Sequence, residues 1–256
     1  MKILKIKKTN NRTRYYVCGI KVLSLRRTSD LALREIYDEE FYKAQAENSY
    51  KSAQQVLPYV RSLLKPKSVL DVGCGVGTWL KVWSELGAEI QGIDSNQIPE
   101  KSLYVPRSRI QICDLSSISM SAVNKTTDRF DLVETLEVAE HLEEHVADGF
   151  VDFLCSKADA VLFSAAIPHQ GGTHHVNLQP IDYWNKKFQS RGYDCFDIIR
   201  EKYWEDNNID VWYRQNMVLF AKGKSKENLI SQGFNPSEKV NTYYHPEIIG
   251  WFVQKK

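Results

Sequence analysis

No apolar run in this chain approaches the roughly 20 residues that a helix needs to cross a bilayer, although 43% of its residues are hydrophobic. That argues against a helical membrane span. The opening residues also lack the uninterrupted apolar segment of a secretory signal, so the expected location is the cytoplasm. The five cysteines (Cys18, Cys74, Cys113, Cys155, Cys195) are odd in number, widely spaced and free of metal-type pairing. Such spacing speaks against a disulfide framework and fits buried thiols in a reducing compartment. Net charge is nearly absent too, at +2, but unevenly placed. Lys2, Lys5, Lys7, Lys8, Arg12, Arg14, Lys21, Arg26 and Arg27 crowd residues 1–27 without an acid, so the remainder carries about −7. A mildly acidic body argues against a main surface that grips long nucleic acid.

What is present is a chain of 256 residues, enough to bury a substantial core as one large domain or one domain with appendages. In residues 1–29, Ile3, Leu4 and Ile6 alternate with lysines, a polar turn follows at Thr9-Asn10-Asn11, and Tyr15 to Leu23 resumes the pattern. A basic β-hairpin appendage is expected there, suited either to an anionic membrane surface or simply to solvent. Over 30–64, Leu31, Leu33, Ile36, Val56, Leu57, Val60 and Leu63 recur at helical spacing, with Pro58 allowing a bend. Tyr37, Phe41, Tyr42, Gln45 and Tyr50 make this segment either a lid over a ligand or an ordinary packing face. Residues 65–224 are expected to form the core and 225–256 a C-terminal extension.

The core is organised around Ser68 to Leu80, SVLDVGCGVGTWL. Val69, Leu70 and Val72 suit a strand buried on both faces, and Thr78-Trp79-Leu80 opens a helix whose free N–H groups point back at the turn. Between them stand Gly73, Gly75 and Gly77, which permit a sharp turn and a ligand lying against the backbone. A dinucleotide turn needs G-x-G-x-x-G, whereas this one is G-x-G-x-G preceded by Asp71. An acid at that point would repel a pyrophosphate and suit a ligand bearing an ammonium group. The pattern points to S-adenosylmethionine rather than a nicotinamide dinucleotide.

Further strands follow in series. Ala88 to Asp94 ends in an acid 23 residues after Asp71, and Arg109 to Leu115 carries Asp114 near its end. Phe130 to Leu136 and Ala160 to Ala165 are next, with helical segments between, and later strands are expected at Phe196 to Ile199 and Gln215 to Ala221 as a hairpin at the sheet edge. Strands alternating with helices imply an α/β fold with a doubly wound, mostly parallel sheet and a ligand at the carboxyl ends of its strands. Asp94 is placed to accept hydrogen bonds from a ribose diol, and Asp114 from an adenine amino group with Leu115 beside the ring; capping of a following helix is the alternative role for either acid.

Taken in order, SVLDVGCGVGTWL, GID, CDL, FDLVETLEVAEHL and VLFSAAIP resemble the motif set of class I S-adenosylmethionine-dependent methyltransferases over roughly Leu57 to Lys222. The resemblance implies a seven-stranded Rossmann-like sheet, with Asp71, Gly73, Gly75 and Gly77 near the methionine part of the cofactor, Asp94 at the ribose, and Asp114 and Leu115 at the adenine. FSAAIPHQGGTHHVNLQPIDYW and VWYRQN look like methyltransferases of bacterial surface-polysaccharide biosynthesis. Where those usually read Gly-His, this chain has His174-His175, which leaves open which imidazole holds the expected position.

Glu137, Glu140 and His141 have the spacing of one face of a helical turn, and such a cluster with a further histidine can hold a divalent cation. The pattern resembles the metal-binding group of small-RNA terminal 2′-O-methyltransferases, which implies His175 as the completing ligand and magnesium or manganese as the ion. Without a metal, Glu-His is simply a segment lining the cofactor side. The loop from Pro168 to Asn177 offers His174 and His175 as proton acceptors, while Tyr213, Gln215 and Asn216 suit either an acceptor pocket or edge-strand packing. His145, His245 and Tyr243-Tyr244 are expected to be structural or surface features. The expected activity is O-methylation of a sugar or glycan hydroxyl, nucleotide- or lipid-linked, with His175, His141 or His174 catalytic. Methylation of an RNA-terminal 2′-oxygen and a non-catalytic S-adenosylmethionine-binding scaffold are the alternatives.

Overall fold

The computed structural model describes residues 4–9, 12–17, 20–26, 30–95, 98–117, 129–172 and 174–253, with side chains described between 46 and 249. It divides into two compact units, Met1–Glu47 and Asn48–Lys256.

In the first unit, β1 (Leu4–Thr9), β2 (Arg12–Val17) and β3 (Ile20–Arg26) form an antiparallel meander rather than the expected hairpin. The run from Tyr15 to Leu23 that looked like one strand is divided between β2 and β3, which adds the third strand. The basic side chains expected to meet an anionic surface, and Cys18, lie outside the described residues. Helix α1 (Asp30–Leu64) runs through Pro58 without a break in its assignment. Of the candidate lid, only Tyr50 has a described side chain; its hydroxyl donates to the Glu85 carboxylate at 3.0 and 3.1 Å.

The second unit is a seven-stranded α/β sheet. Its strands are β4 (Ser68–Val72), β5 (Glu89–Asp94), β6 (Ile110–Ile112), β7 (Leu132–Leu136), β8 (Ala160–Ser164), β9 (Asp194–Phe196) and β10 (Val218–Ala221), and their spatial order is β6-β5-β4-β7-β8-β10-β9. Neighbours from β6 to β8 are parallel, and β10 runs antiparallel to both β8 and β9. Strand order reverses between β4 and β7, and the crevice at such a point is where open α/β sheets take their ligands.

Side chains alternate across the sheet, so consecutive residues of one strand enter different cores. Ala160 and Leu162 join Val56, Leu57 and Val60 of α1 and Trp83 of α2 (Thr78–Glu85) on one face. Val161 and Phe163 join Phe150, Phe153 and Leu154 of α3 (Ala147–Lys157) and Trp184 and Phe188 of α4 (Ile181–Gln189) on the other. With both faces covered, apolar runs such as AVLF need no polar alternation.

Two late expectations are corrected. The penultimate strand begins and ends earlier than Phe196 to Ile199, because Ile198 opens helix α5 (Ile198–Tyr203). The last two strands do form the expected antiparallel pair at the sheet edge, with β10 lying between β8 and the outermost strand β9. However, β10 starts at Val218, and Gln215 and Asn216 belong to helix α6 (Val211–Asn216), so they are not edge-strand packing. The apolar β10 is suited to the sheet interior, whereas the amides before it require hydrogen-bond partners. Helices α7 (Gly223–Ser231) and α8 (Pro246–Val253) follow. Among the described residues, no helix is long and apolar enough to cross a membrane.

Candidate active site

The glycine turn sits at the carboxyl end of β4. The Gly73 and Cys74 amides donate to the Ile93 carbonyl at 2.7 and 3.1 Å, tying the turn to β5. All of Gly73, Gly75 and Gly77 have positive φ, at 86°, 52° and 83°. Their roles differ. A Cβ on Gly73 would lie 2.4 Å from Val138, and one on Gly77 would lie 2.8 Å from Val105, so those positions are small because neighbours fill the space. A Cβ on Gly75 would meet nothing within 4 Å. Gly75 therefore presents the open backbone surface of the turn.

Acids cluster beneath it. Asp71 is buried, and its carboxyl is held well above the usual range, first by burial and then by the neighbouring charges of Glu134 and Asp94. Glu134, inside β7, is pushed up to about 8 by burial, against which the Trp83 indole N–H donating to Oε2 at 2.8 Å works only partly. Its Oε1 has no hydrogen-bond partner. Sequence reasoning passed over Glu134; the available signal was an acid within the otherwise apolar run Leu132 to Leu136. Asp94 accepts a hydrogen bond from the Gly75 amide at 2.8 Å, bracing the turn from the end of β5. Asp114 is exposed, and its Oδ1 takes the amide and hydroxyl of Ser116 at 2.9 and 2.7 Å, the capping arrangement; Leu115 is buried beside it.

Next along this edge, β7 ends and the chain turns sharply at Glu137, a non-glycine residue at φ 55°. Ala139–His141 forms a short 3-10 turn. The carbonyl of Glu140 accepts the amides of Val176 and Asn177 at 2.9 and 3.0 Å, which straps the histidine loop onto that turn. Ligand atoms of Glu140, His141 and His175 consequently lie within 4.8 Å of one another. The His141 and His175 rings meet edge to face at 4.8 Å, and His175 Nε2 is 3.9 Å from Glu140 Oε1.

Glu140 is fully buried, and neither carboxylate oxygen has a hydrogen-bond partner. Burial holds its carboxyl well above the usual range, the charge on Glu137 adds to this, and nearby backbone amides of Glu140 and Ala166 soften it. The His175 pKa is lowered, by burial first and by His141 second, and its Nδ1 is also without a partner. His174 is exposed and contributes a carbonyl within 3.2 Å of His141 Nδ1, so of the two adjacent imidazoles it is His175 that turns inward. Gly172 makes room for it: a Cβ there would lie 2.1 Å from the His175 ring.

Glu137 stands apart from this group, contrary to the expectation that it shares a helical face with Glu140 and His141. Asn216 Nδ2 donates to its Oε1 at 3.1 Å and Gln170 Nε2 to its Oε2 at 3.1 Å. Gln170 Oε1 in turn accepts from Asn216 and Gln215 at 2.8 and 3.1 Å. The main-chain kink after β7 separates the two acids, which a regular helical turn would not have done. Close by, the Trp79 indole donates to Ser49 Oγ at 3.0 Å, and Ser49 lies within hydrogen-bond reach of Thr78 and Tyr213. Nothing in the sequence marked Ser49. His245, left without a partner by sequence reasoning, is buried, gives its amide to Gln215 Oε1 at 2.7 Å and lies 3.0 Å from the Trp204 carbonyl, a structural role.

Residues 42–163 match a family model described as a methyltransferase domain. The chain carries an S-adenosylmethionine-dependent methyltransferase domain of class I fold. This domain is similar to the ubiquinone biosynthesis O-methyltransferase of Pseudomonas putida (strain GB-1), 28% identical over 70% of this chain and 73% of that protein. The enzyme of the same name from Cereibacter sphaeroides (strain ATCC 17029 / ATH 2.4.9) is 35% identical over 31% of this chain, a stretch spanning about a third (32%) of the relative. Among solved structures, DesVI of Streptomyces venezuelae superposes with a TM-score of 0.52 at 12% identity, over 74% of this chain and 98% of that one. The plantazolicin methyltransferase BpumL, in complex with a monoazolic desmethylPZN analog and SAH, gives 0.50 at 16% identity over 77% and 92%. At such identities these likenesses concern the fold of the methyltransferase domain.

Proposed function

We propose that this chain is an O-methyltransferase acting on a sugar hydroxyl in surface-polysaccharide biosynthesis, in the cytoplasm. The observation that carries the reading is the convergence of Glu140, His141 and His175 at the carboxyl edge of the sheet, beside the glycine turn. O-methylation is supported by the O-methyltransferase relatives, and the sugar by the likeness of Phe163 to Trp184 to glycan methyltransferases.

The residues present fit the cofactor. Gly75 offers an open backbone face, and buried Asp71 is an acid whose charge needs a cationic partner, such as the ligand's ammonium. Asp94 and the exposed Asp114 would meet the ribose and adenine. S-adenosylmethionine supplies a methyl group already activated on a sulfonium, so this chain's task is to align an acceptor oxygen and dispose of its proton. His175, its pKa lowered, is a neutral imidazole at pH 7 and can take that proton, with His141 beside it.

A divalent cation also fits, because the Glu140 carboxylate is buried, orphaned and faced by two imidazoles. Glu140, His141 and His175 would hold it, and magnesium or manganese there would lower the pKa of a chelated hydroxyl. A terminal RNA ribose, which offers two adjacent hydroxyls to such a cation, is the second reading. The deciding experiment is a labelled-methyl assay on purified protein, comparing glycan and nucleotide-sugar acceptors with short RNA. Transfer to glycan is expected; transfer to RNA alone overturns the sugar reading, and formation of no S-adenosylhomocysteine with any acceptor leaves the non-catalytic scaffold. The basic strands β1–β3 are proposed to favour an anionic membrane where a lipid-linked acceptor would reside.

A further inference from the structure

Two acids three residues apart, Glu137 and Glu140, face opposite circumstances. Glu140 has no hydrogen-bond partner and looks toward two imidazoles. Glu137 has both oxygens occupied by amide N–H groups from two distant segments, the loop after β8 and helix α6. Those amides are themselves fixed: Gln170 Oε1 also faces the Ile167 amide at 3.3 Å, and Gln215 Nε2 donates to Asn216 Oδ1 at 3.0 Å. A cation at Glu137 would meet donor hydrogens, whereas a cation at Glu140 would meet free lone pairs. Yet Glu137 as a residue is half-buried rather than buried, and it holds a left-handed backbone conformation, φ 55°, that is strained for a non-glycine residue. Strain, an amide clamp and partial exposure at the ligand edge of the sheet are not what a packing residue needs.

We propose that Glu137 is an acceptor-binding carboxylate outside the cation site, taking a hydrogen bond from one hydroxyl of a vicinal diol while the neighbouring hydroxyl lies toward Glu140 and His175. Gln170 and Asn216 are positioning residues that hold the carboxylate in place. The inference rests on the O-methyltransferase reading and narrows its acceptor to compounds with adjacent hydroxyls. Burial and the clamp leave the Glu137 carboxyl at about 7, so it is substantially ionised at and above neutral pH, when a carboxylate accepts most strongly.

The test uses the full chain and three readouts. S-adenosylmethionine calorimetry is expected to be unchanged in Glu137→Gln, Gln170→Ala and Asn216→Ala, showing that each folds. Manganese calorimetry is expected to be unchanged in Glu137→Gln and lost in Glu140→Gln; loss in Glu137→Gln overturns the assignment. Methyl transfer is then measured with methyl α-mannopyranoside, which carries a cis diol, with catechol, and with phenol, which has a single hydroxyl. For Glu137→Gln, whose new NH2 would oppose the amide donors, KM for a diol is expected to rise about 10- to 100-fold with a smaller change in kcat, as for a lost hydrogen bond to a charged group. Asn216→Ala and Gln170→Ala should raise KM less. An unchanged KM in Glu137→Gln overturns this inference alone. Wild-type transfer to no diol, or equal transfer to phenol, overturns the diol acceptor, while turnover of any other hydroxyl compound would leave the O-methyltransferase reading intact.

Discussion

The two halves of the sheet's carboxyl edge are built differently. From β4 to β6 the site is a local device: one turn, and acids at or near the ends of consecutive strands, with the Gly75 amide bonded to Asp94. From β7 to β10 it is assembled from remote pieces, Glu137 being clamped by residues 33 and 79 positions away. The first half achieves its geometry with backbone, the second with side chains that must find each other. Substitutions should therefore act on cofactor affinity in one half and on acceptor handling in the other.

The sharpest way to break that division is Gly75→Val. A β-branched residue at φ 52° and a side chain on the open face of the turn should lower S-adenosylmethionine affinity about 100-fold or more in calorimetry. Binding at wild-type strength would sink the cofactor assignment. On the other half, chelator is expected to lower methyl transfer by about 100-fold, the effect of losing Lewis-acid assistance. Glu140→Ala should abolish that sensitivity to chelator while leaving cofactor affinity alone. Full wild-type activity in chelator would leave His175 as the only agent for the acceptor proton.

A smaller effect is expected from Gly172→Ala, where the new methyl group would displace the His175 ring and φ is 131°. About a 10-fold fall in kcat with unchanged cofactor affinity is the expected outcome of moving a proton acceptor. The last effect concerns stability and leaves both halves of the site unchanged in activity. Burial raises the Glu134 carboxyl from its ordinary 4.5 to about 8, so between those values the folded state binds more protons than the unfolded chain. Stability should be greatest below pH 4.5 for this group and should fall as pH rises through 8, by on the order of a few kcal/mol. Glu134→Gln keeps an acceptor for the Trp83 indole and should flatten that slope in thermal unfolding followed across pH 5 to 8.

How far each half was legible follows from how it is built. The α/β class, the order of β4 to β8 and the acids Asp71, Asp94 and Asp114 come from runs of adjacent residues: an apolar strand, then an acid, then a turn or helix. Leu64 to Ser68 and Gly73 to Thr78 are short connections that leave the chain little freedom, so local pattern suffices. The late strands were harder. Asp194–Phe196 is only three residues long, and the polar amides Gln215 and Asn216 run directly into the apolar β10, so neither boundary shows in the pattern. That the last strand lies inside the sheet is a matter of pairing, to which a run such as VLFA is indifferent.

The same limit applies to single residues. Glu137 and Glu140 are alike in type and stand three apart, and helical spacing placed them on one face. A kink after β7 and two amides from elsewhere sent them into different surroundings. His174 and His175 are identical neighbours, and only the hydrogen bonds from Val176 and Asn177 to Glu140, with the space left by Gly172, turn one inward and the other to solvent. The sequence by itself determined the α/β methyltransferase fold and placed the glycine turn and its acids at the ends of adjacent strands, because strand, turn and helix signals are local and period-bound. Tertiary structure alone decided which acid is clamped, which is orphaned and which histidine meets it, because those are properties of contacts between segments that no local pattern records.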